Sequence, residues 1–176
     1  MSLTRRSFLV APVLATIAPP KVAEPSDDPD LLGLLLAVEQ AQIALYARAT
    51  KLPFRGPVAD LAGRFGNEEH RHAARLRSLG AKPPKVPAAH FTFKKRDDFL
   101  RLAQRLEGLA VGTYNGTIPH LRDVSLYEAV GAIAQVEARH SAAVRVLRKS
   151  DPAPRAYDRS FEPDRALHAL TTLLIG

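Results

Sequence analysis

The sequence predicts an all-α fold: a four-helix bundle with a long crossover between helices two and three and a short C-terminal helix. Three observations predict it. Seam residues recur at steps of four and three, in Val58, Ala62, Phe65, Glu69, His72, Leu76 and Leu79 and again in Val130, Ile133, Glu137, His140, Val144 and Leu147. That spacing marks one packed helical face. Hydrophobic residues make up 46% of the chain but aromatic residues only 6%, a balance that suits packed helices better than a sheet. Finally, a shift of 68 positions lays Glu39 on Glu107, Tyr46 on Tyr114, Glu69 on Glu137 and His72 on His140. Each half therefore carries a Glu, a Tyr seven residues on, and a Glu-x-x-His motif.

The elements follow in order. Residues 4–10 (TRRSFLV) are similar to a twin-arginine export motif, and an apolar stretch over 8–18, interrupted by Pro12, follows. It is shorter than the roughly 20 residues that a membrane-spanning helix needs. Residues 1–28 are thus expected to be a signal peptide and linker, read by the twin-arginine translocase and directing the protein to the periplasm or cell envelope. The linker is proline-rich, with Asp28 as expected N-cap and Pro29 at the first helical position. Helix one should run over 30–50. Pro57 opens helix two, and Gly80 stops it after Leu79.

Residues 81–93 form the crossover. About thirteen extended residues reach roughly 40 Å, more than the ~33 Å of a 22-residue helix. The chain can therefore return from one end of the bundle to the other. Helix three is expected over 94–115, ended by a turn at Asn115-Gly116. Ser125 and Glu128 read as a capping box for helix four, which should reach about Lys149 before Asp151-Pro152 and Pro154. Residues 29–150 are one bundle domain. Residues 151–176 are a tail whose helix starts at Pro163 and shows Leu167, Leu170 and Leu174 on one face.

The net charge of +7 is carried by arginines scattered over helix faces, among them Arg71, Arg101, Arg139 and Arg148. A solvated helical surface accounts for them, and nucleic acid is not an expected partner. There is no cysteine, so no disulfide supports the fold and packing, with a bound metal, must do so. No Gly-rich phosphate loop or G-x-S-x-G nucleophile elbow occurs in the chain.

The chemistry lies in the stripe. A carboxylate buried in an apolar seam costs several kcal/mol unless a counter-charge compensates it. Here there are four, one per helix, with no Lys or Arg in the seams. Two divalent cations would balance four carboxylates, and oxygen donors with two imidazoles suit iron or manganese. The i, i+3 spacing lets Glu69/His72 and Glu137/His140 each grip one metal, with Glu39 and Glu107 as terminal ligands. Tyr46 and Tyr114, tentative catalytic residues, either hydrogen-bond ligand carboxylates or pass an electron, or are core aromatics that cap a buried polar group. Glu68 and His70 are expected on other, exposed faces. Glu128 is assigned to its cap, and His90, His120 and His168 to the surface.

In the order Glu, Glu-x-x-His, Glu, Glu-x-x-His, residues 29–150 resemble the ferritin-like superfamily, in particular exported bacterial ferritin-like domain proteins, and are similar to rubrerythrin and bacterioferritin. Tyr46, seven residues after Glu39, recurs in those relatives, and residues 160–164 (SFEPD) are similar to the tail of the exported subgroup. The resemblance implies a di-iron or di-manganese centre on Glu39, Glu69, His72, Glu107, Glu137 and His140. Two departures stand out: rubrerythrin's cysteine-ligated iron has no counterpart here, and Met1, the only methionine, leaves no bacterioferritin-like haem ligand. Three functions compete: a di-iron protein reacting with oxygen or peroxide, a manganese catalase-like enzyme, and a non-catalytic envelope, stress or iron-sequestering protein. Assembly into a homo-oligomer is compatible with each.

Overall fold

The computed structural model describes residues 28–175, so the twin-arginine motif and most of the linker lie outside the described residues. Five α-helices follow one another: α1 Asp28–Ala49, α2 Pro57–Ser78, α3 Arg96–Thr117, α4 Ser125–Leu147 and α5 Pro163–Ile175, with a 3-10 turn Ile118–His120 between α3 and α4. Among the described residues there is no strand.

Helix α1 is the central element. Leu31, Leu32, Leu34, Leu35 and Leu36 are all buried, so its apolar surface extends nearly round its first turns. By length and a mean hydropathy of 1.3 it could cross a membrane, yet 72% of that window is buried inside the protein. Its apolar residues are thus used as core. Helix α2 buries only a stripe, Val58, Leu61, Ala62, Phe65, Glu69, His72, Ala73 and Leu76.

The crossover runs the length of α1. Lys82 N–H donates to Pro29 O at 2.8 Å at one end, and Arg48 Nη2 donates to Phe93 O at 3.3 Å at the other. It lies so close that a Cβ on Gly33 would meet the Lys82 carbonyl oxygen at 1.8 Å. Carrying the chain back in this way makes α3 antiparallel to α1.

Helix ends match the expected stops in part. Gly80 takes φ 92°, Gly80 N–H donates to Arg77 O and Ala81 N–H to Leu76 O, the paired bonds of a Schellman motif. Helix α4 closes in the same way, Lys149 N–H to Val146 O and Ser150 N–H to Arg145 O. There the left-handed position is held by Lys149, at φ 57°.

Three expectations are corrected. The Asp28 carboxylate reaches across the bundle and accepts the backbone N–H groups of Arg122 and Asp123, both at 2.9 Å, tying the start of α1 to the α3–α4 connection. At α4 no side chain of a capping box closes the helix. Asp123 accepts the Ser125 N–H at 2.9 Å instead, because the turn ahead of Ser125 is already helical at Val124 (φ −60°, ψ −20°). Asn115-Gly116 is no turn: α3 continues to Thr117. Gly116 is required by a neighbour, since a Cβ there would meet Phe161 O at 1.8 Å, and one on Gly112 would meet the Phe161 ring at 2.3 Å. The tail crosses α3 at these two glycines, held by Phe161 N–H to Gly112 O at 2.9 Å, and α5 then buries Ala166 and Leu170.

The core divides into two apolar clusters. One surrounds Tyr46, Phe65, Phe99 and Leu106; the other surrounds Leu31, Leu35, Leu76, Tyr114 and Ile133. Between them lies a layer of buried acids.

Candidate metal centre

Each bundle helix brings its stripe glutamate to this layer. Glu39 on α1, Glu69 on α2, Glu107 on α3 and Glu137 on α4 are fully excluded from solvent, while His140 is 2% and His72 9% exposed. All six residues singled out from the sequence therefore come together. Their ligand atoms form two groups, each within 4.8 Å: Glu39, Glu69, His72 and Glu137, and Glu69, Glu107, Glu137 and His140. Glu69 and Glu137 belong to both, so the two groups share an acid pair.

Both imidazoles turn Nδ1 inward. His72 Nδ1 stands 2.9 Å from Glu69 Oε2, 3.1 Å from Glu137 Oε1 and 3.4 Å from Glu39 Oε2. His140 Nδ1 stands 2.9 Å from Glu69 Oε1, 3.8 Å from Glu137 Oε1 and 3.9 Å from Glu107 Oε2. The i, i+3 spacing places each imidazole over its own motif glutamate, as helix geometry dictates.

The tyrosines act across the repeat. Tyr46 O–H donates to Glu107 Oε1, and Tyr114 O–H donates to Glu39 Oε1. Each phenol thus serves the glutamate of the other half. Seven residues advance about 10 Å along a helix, and a long side chain leans back toward the N-terminus. On antiparallel helices this brings each phenol level with its neighbour's carboxylate.

Two residues escaped the sequence reading. Gln42 is fully buried, and its Nε2 donates to Glu137 Oε2 at 2.7 Å and Glu107 Oε2 at 3.1 Å. Its signal was available: it lies three residues after Glu39, on the same stripe. Glu68, expected to be exposed, has a side chain only 35% accessible and accepts from His140 Nε2 at 2.6 Å. Nothing in its own helix announces this, because its partner sits on α4. His70, His90 and His168 are exposed as expected, and exposed His120 meets Glu162 at 3.0 Å. The His140 ring also lies on Phe65, with centroids 3.8 Å apart and planes at 21°.

The electrostatics are those of a site whose counter-charge is carried by protons. Burial, reinforced by neighbouring carboxylates, raises the pKa of Glu39, Glu107 and Glu137. Burial acts on Glu69 too, but the hydrogen bonds of His140 and His72 outweigh it and bring its pKa down to about 2. Burial opposes charge on His72, yet Glu137, Glu39 and Glu69 together push its pKa up to about 12. His140 is raised in the same manner, chiefly by Glu69. Burial first, then the adjacent acids, raises both tyrosines and keeps them as donors.

Among the described residues six buried side-chain atoms make no well-aligned hydrogen bond: Gln42 Oε1, Thr117 Oγ1 and four at the site, Glu39 Oε2, Glu69 Oε1, Glu137 Oε1 and His140 Nδ1. Such atoms are rare in a folded interior and call for a partner. The four at the site belong to the two ligand groups, and a set of carboxylate oxygens and imidazole nitrogens fits two divalent cations. His72, with its pKa pushed up to about 12, holds a proton at neutral pH that a cation must displace. Metal uptake is therefore expected to release protons, so apparent affinity should climb as pH rises from 6 to 8. Calorimetric titration in two buffers of different ionisation heat checks this; a binding heat independent of buffer would contradict it.

A cleft of about 490 Å³, lined in part by Phe65, Glu68, Val136 and Arg139, reaches both imidazoles from the surface.

A family model described as a ferritin-like domain matches residues 27–150. Among solved structures, this chain is similar to a conserved hypothetical protein from Mycobacterium tuberculosis, with a TM-score of 0.59 and 18% identity over 72% of this chain and 94% of that one. At that identity the likeness concerns the fold alone. A search of curated proteins finds no match.

Proposed function

Because the chain belongs to the ferritin-like domain family, we propose that it is an exported di-metal carboxylate protein, with iron as the metal, that reacts with oxygen or peroxide. The observation that carries this reading is the pair of overlapping carboxylate–imidazole groups, four of whose buried ligand atoms make no well-aligned hydrogen bond. Glu39 and His72 would complete one metal position and Glu107 and His140 the other, with Glu69 and Glu137 shared. When bound, two redox-active cations supply electrons to an oxidant at an open coordination position.

The remaining roles belong to the chain. Tyr46 and Tyr114 hold protons against Glu107 Oε1 and Glu39 Oε1, which orients those carboxylates and leaves proton donors within the water-excluded layer. Apolar clusters on both sides exclude bulk water. His72, the more exposed imidazole, faces the cleft by which a small oxidant would arrive. Export as a folded, metal-loaded protein by the twin-arginine translocase agrees with a cysteine-free chain, since loading could finish in the cytoplasm.

The test is metal content per chain on protein recovered from its own export route, followed by a peroxide challenge. Two irons with rapid peroxide loss are expected. Two manganese ions with oxygen evolution would move the reading to a catalase-like centre. Two metals without turnover would leave a sequestering or structural role, and no metal would sink the metal reading.

A further inference from the structure

Two polar side chains that support the site have no polar counterpart in the other half of the repeat, and both touch ligands of the His140 group. Gln42 has Ala110 as its counterpart 68 positions on, and Glu68 has Val136. Gln42 straps Glu107 and Glu137 by two hydrogen bonds from one amide. Glu68 accepts from His140 Nε2, and Phe65 stacks on the same ring. Three of the four ligands in the Glu69, Glu107, Glu137 and His140 group are therefore held by a side chain from outside the ligand set. The other group's imidazole has no such acceptor: the repeat counterpart of Glu68 is Val136, which lines the same cleft as His72, and His72 is the more exposed ring.

From this asymmetry, and resting on the metal reading above, we infer that the two positions are inequivalent and fill in order, with Gln42 and Glu68 as the positioning residues that make the His140 position the tighter one. A carboxylate on the far nitrogen of a metal-binding imidazole fixes its orientation and strengthens it as a donor, an effect of about 10–100-fold in affinity. An amide that holds two carboxylates in place lowers the ordering cost of binding. The His72 position shares the strapped Glu137 but has neither an acceptor behind its imidazole nor an amide on its own Glu39, so it takes up its ion second and loses it first.

The experiment is an anaerobic titration of the full chain with cobalt(II), followed by visible absorbance and calorimetry. The parent protein should bind two ions in resolved steps that differ by at least about tenfold in affinity. Replacing Gln42→Ala and Glu68→Val together writes the second half's residues into the first, and the two steps should merge while the total stays at two. Glu68→Gln, whose side-chain carbonyl can still accept from His140, should retain much of the difference that Glu68→Val removes. Val136→Glu, at the cleft wall, should tighten the second step in the parent background, which keeps the test decisive if the double variant folds poorly. Equal steps in the parent, or a difference that survives the double variant, would overturn the inference and leave the metal reading intact. No cobalt bound at all would overturn the metal reading itself.

Discussion

Glu69→Ala is expected to reduce metal binding from two ions per chain to none that survives gel filtration. Glu69 is one of only two residues present in both ligand groups, so a single truncation strips a donor from each position. It is also the acid held most firmly ionised, with its pKa at about 2, and it faces both imidazoles at 2.9 Å. Breaking a buried ion pair by removing one partner costs about 3–5 kcal/mol, so the metal-free variant should also melt earlier than the metal-free parent. The sign of the pH effect follows from the depressed pKa: the stabilisation from Glu69 is fully present above its ordinary value of 4.5 and is lost as pH falls toward 2. The stability gap between parent and variant should accordingly narrow in acid. Glu128→Ala, at an exposed position on α4, is the control, and metal content by mass spectrometry of the intact protein is the readout. Two ions retained by Glu69→Ala would contradict the ligand assignment.

Gly116→Ala is expected to destabilise the fold by about 1–3 kcal/mol, the range for overpacking, or roughly 2–12 °C in Tm for a domain of this size. Its new Cβ would lie 1.8 Å from the Phe161 backbone oxygen, so the tail segment rather than a flexible side-chain end must move. Displacing it would loosen the Phe161 contact with Gly112 and the packing of Ala166 and Leu170. Gly108→Ala on the same face of α3 meets nothing within 4 Å and should stabilise by about 1 kcal/mol through helix propensity. Thermal melts of the two variants should move in opposite directions. A Gly116→Ala melt equal to the parent's would show that the tail does not depend on this close approach.

These two variants also mark the limit of what a linear reading can reach. Glu69 and its five companions were legible because helical periodicity is local: steps of three and four put them on one apolar stripe, and the 68-residue repeat placed the stripes at matching heights. The stop at Gly80 was legible for the same reason, since its φ of 92° is a demand of its own backbone. Gly116 was read as a turn residue because Asn-Gly is a strong turn signal; its use as a landing place for Phe161 depends on a segment 45 residues away. The Ser125 capping box failed likewise, as Asp123 was nearer to the free N–H.

By itself, then, the sequence determined the helices, the crossover and the six residues that share a buried layer, because burial pattern and backbone preference are written within each helix. Only the tertiary structure decided which side chain supports which. It gave Tyr46 to Glu107 and Tyr114 to Glu39, strapped two acids with Gln42, and set Glu68 behind His140. Those pairings depend on the antiparallel register of α1 with α3 and on the height at which α2 meets α4, and register is a property of packing between helices, not of any one of them.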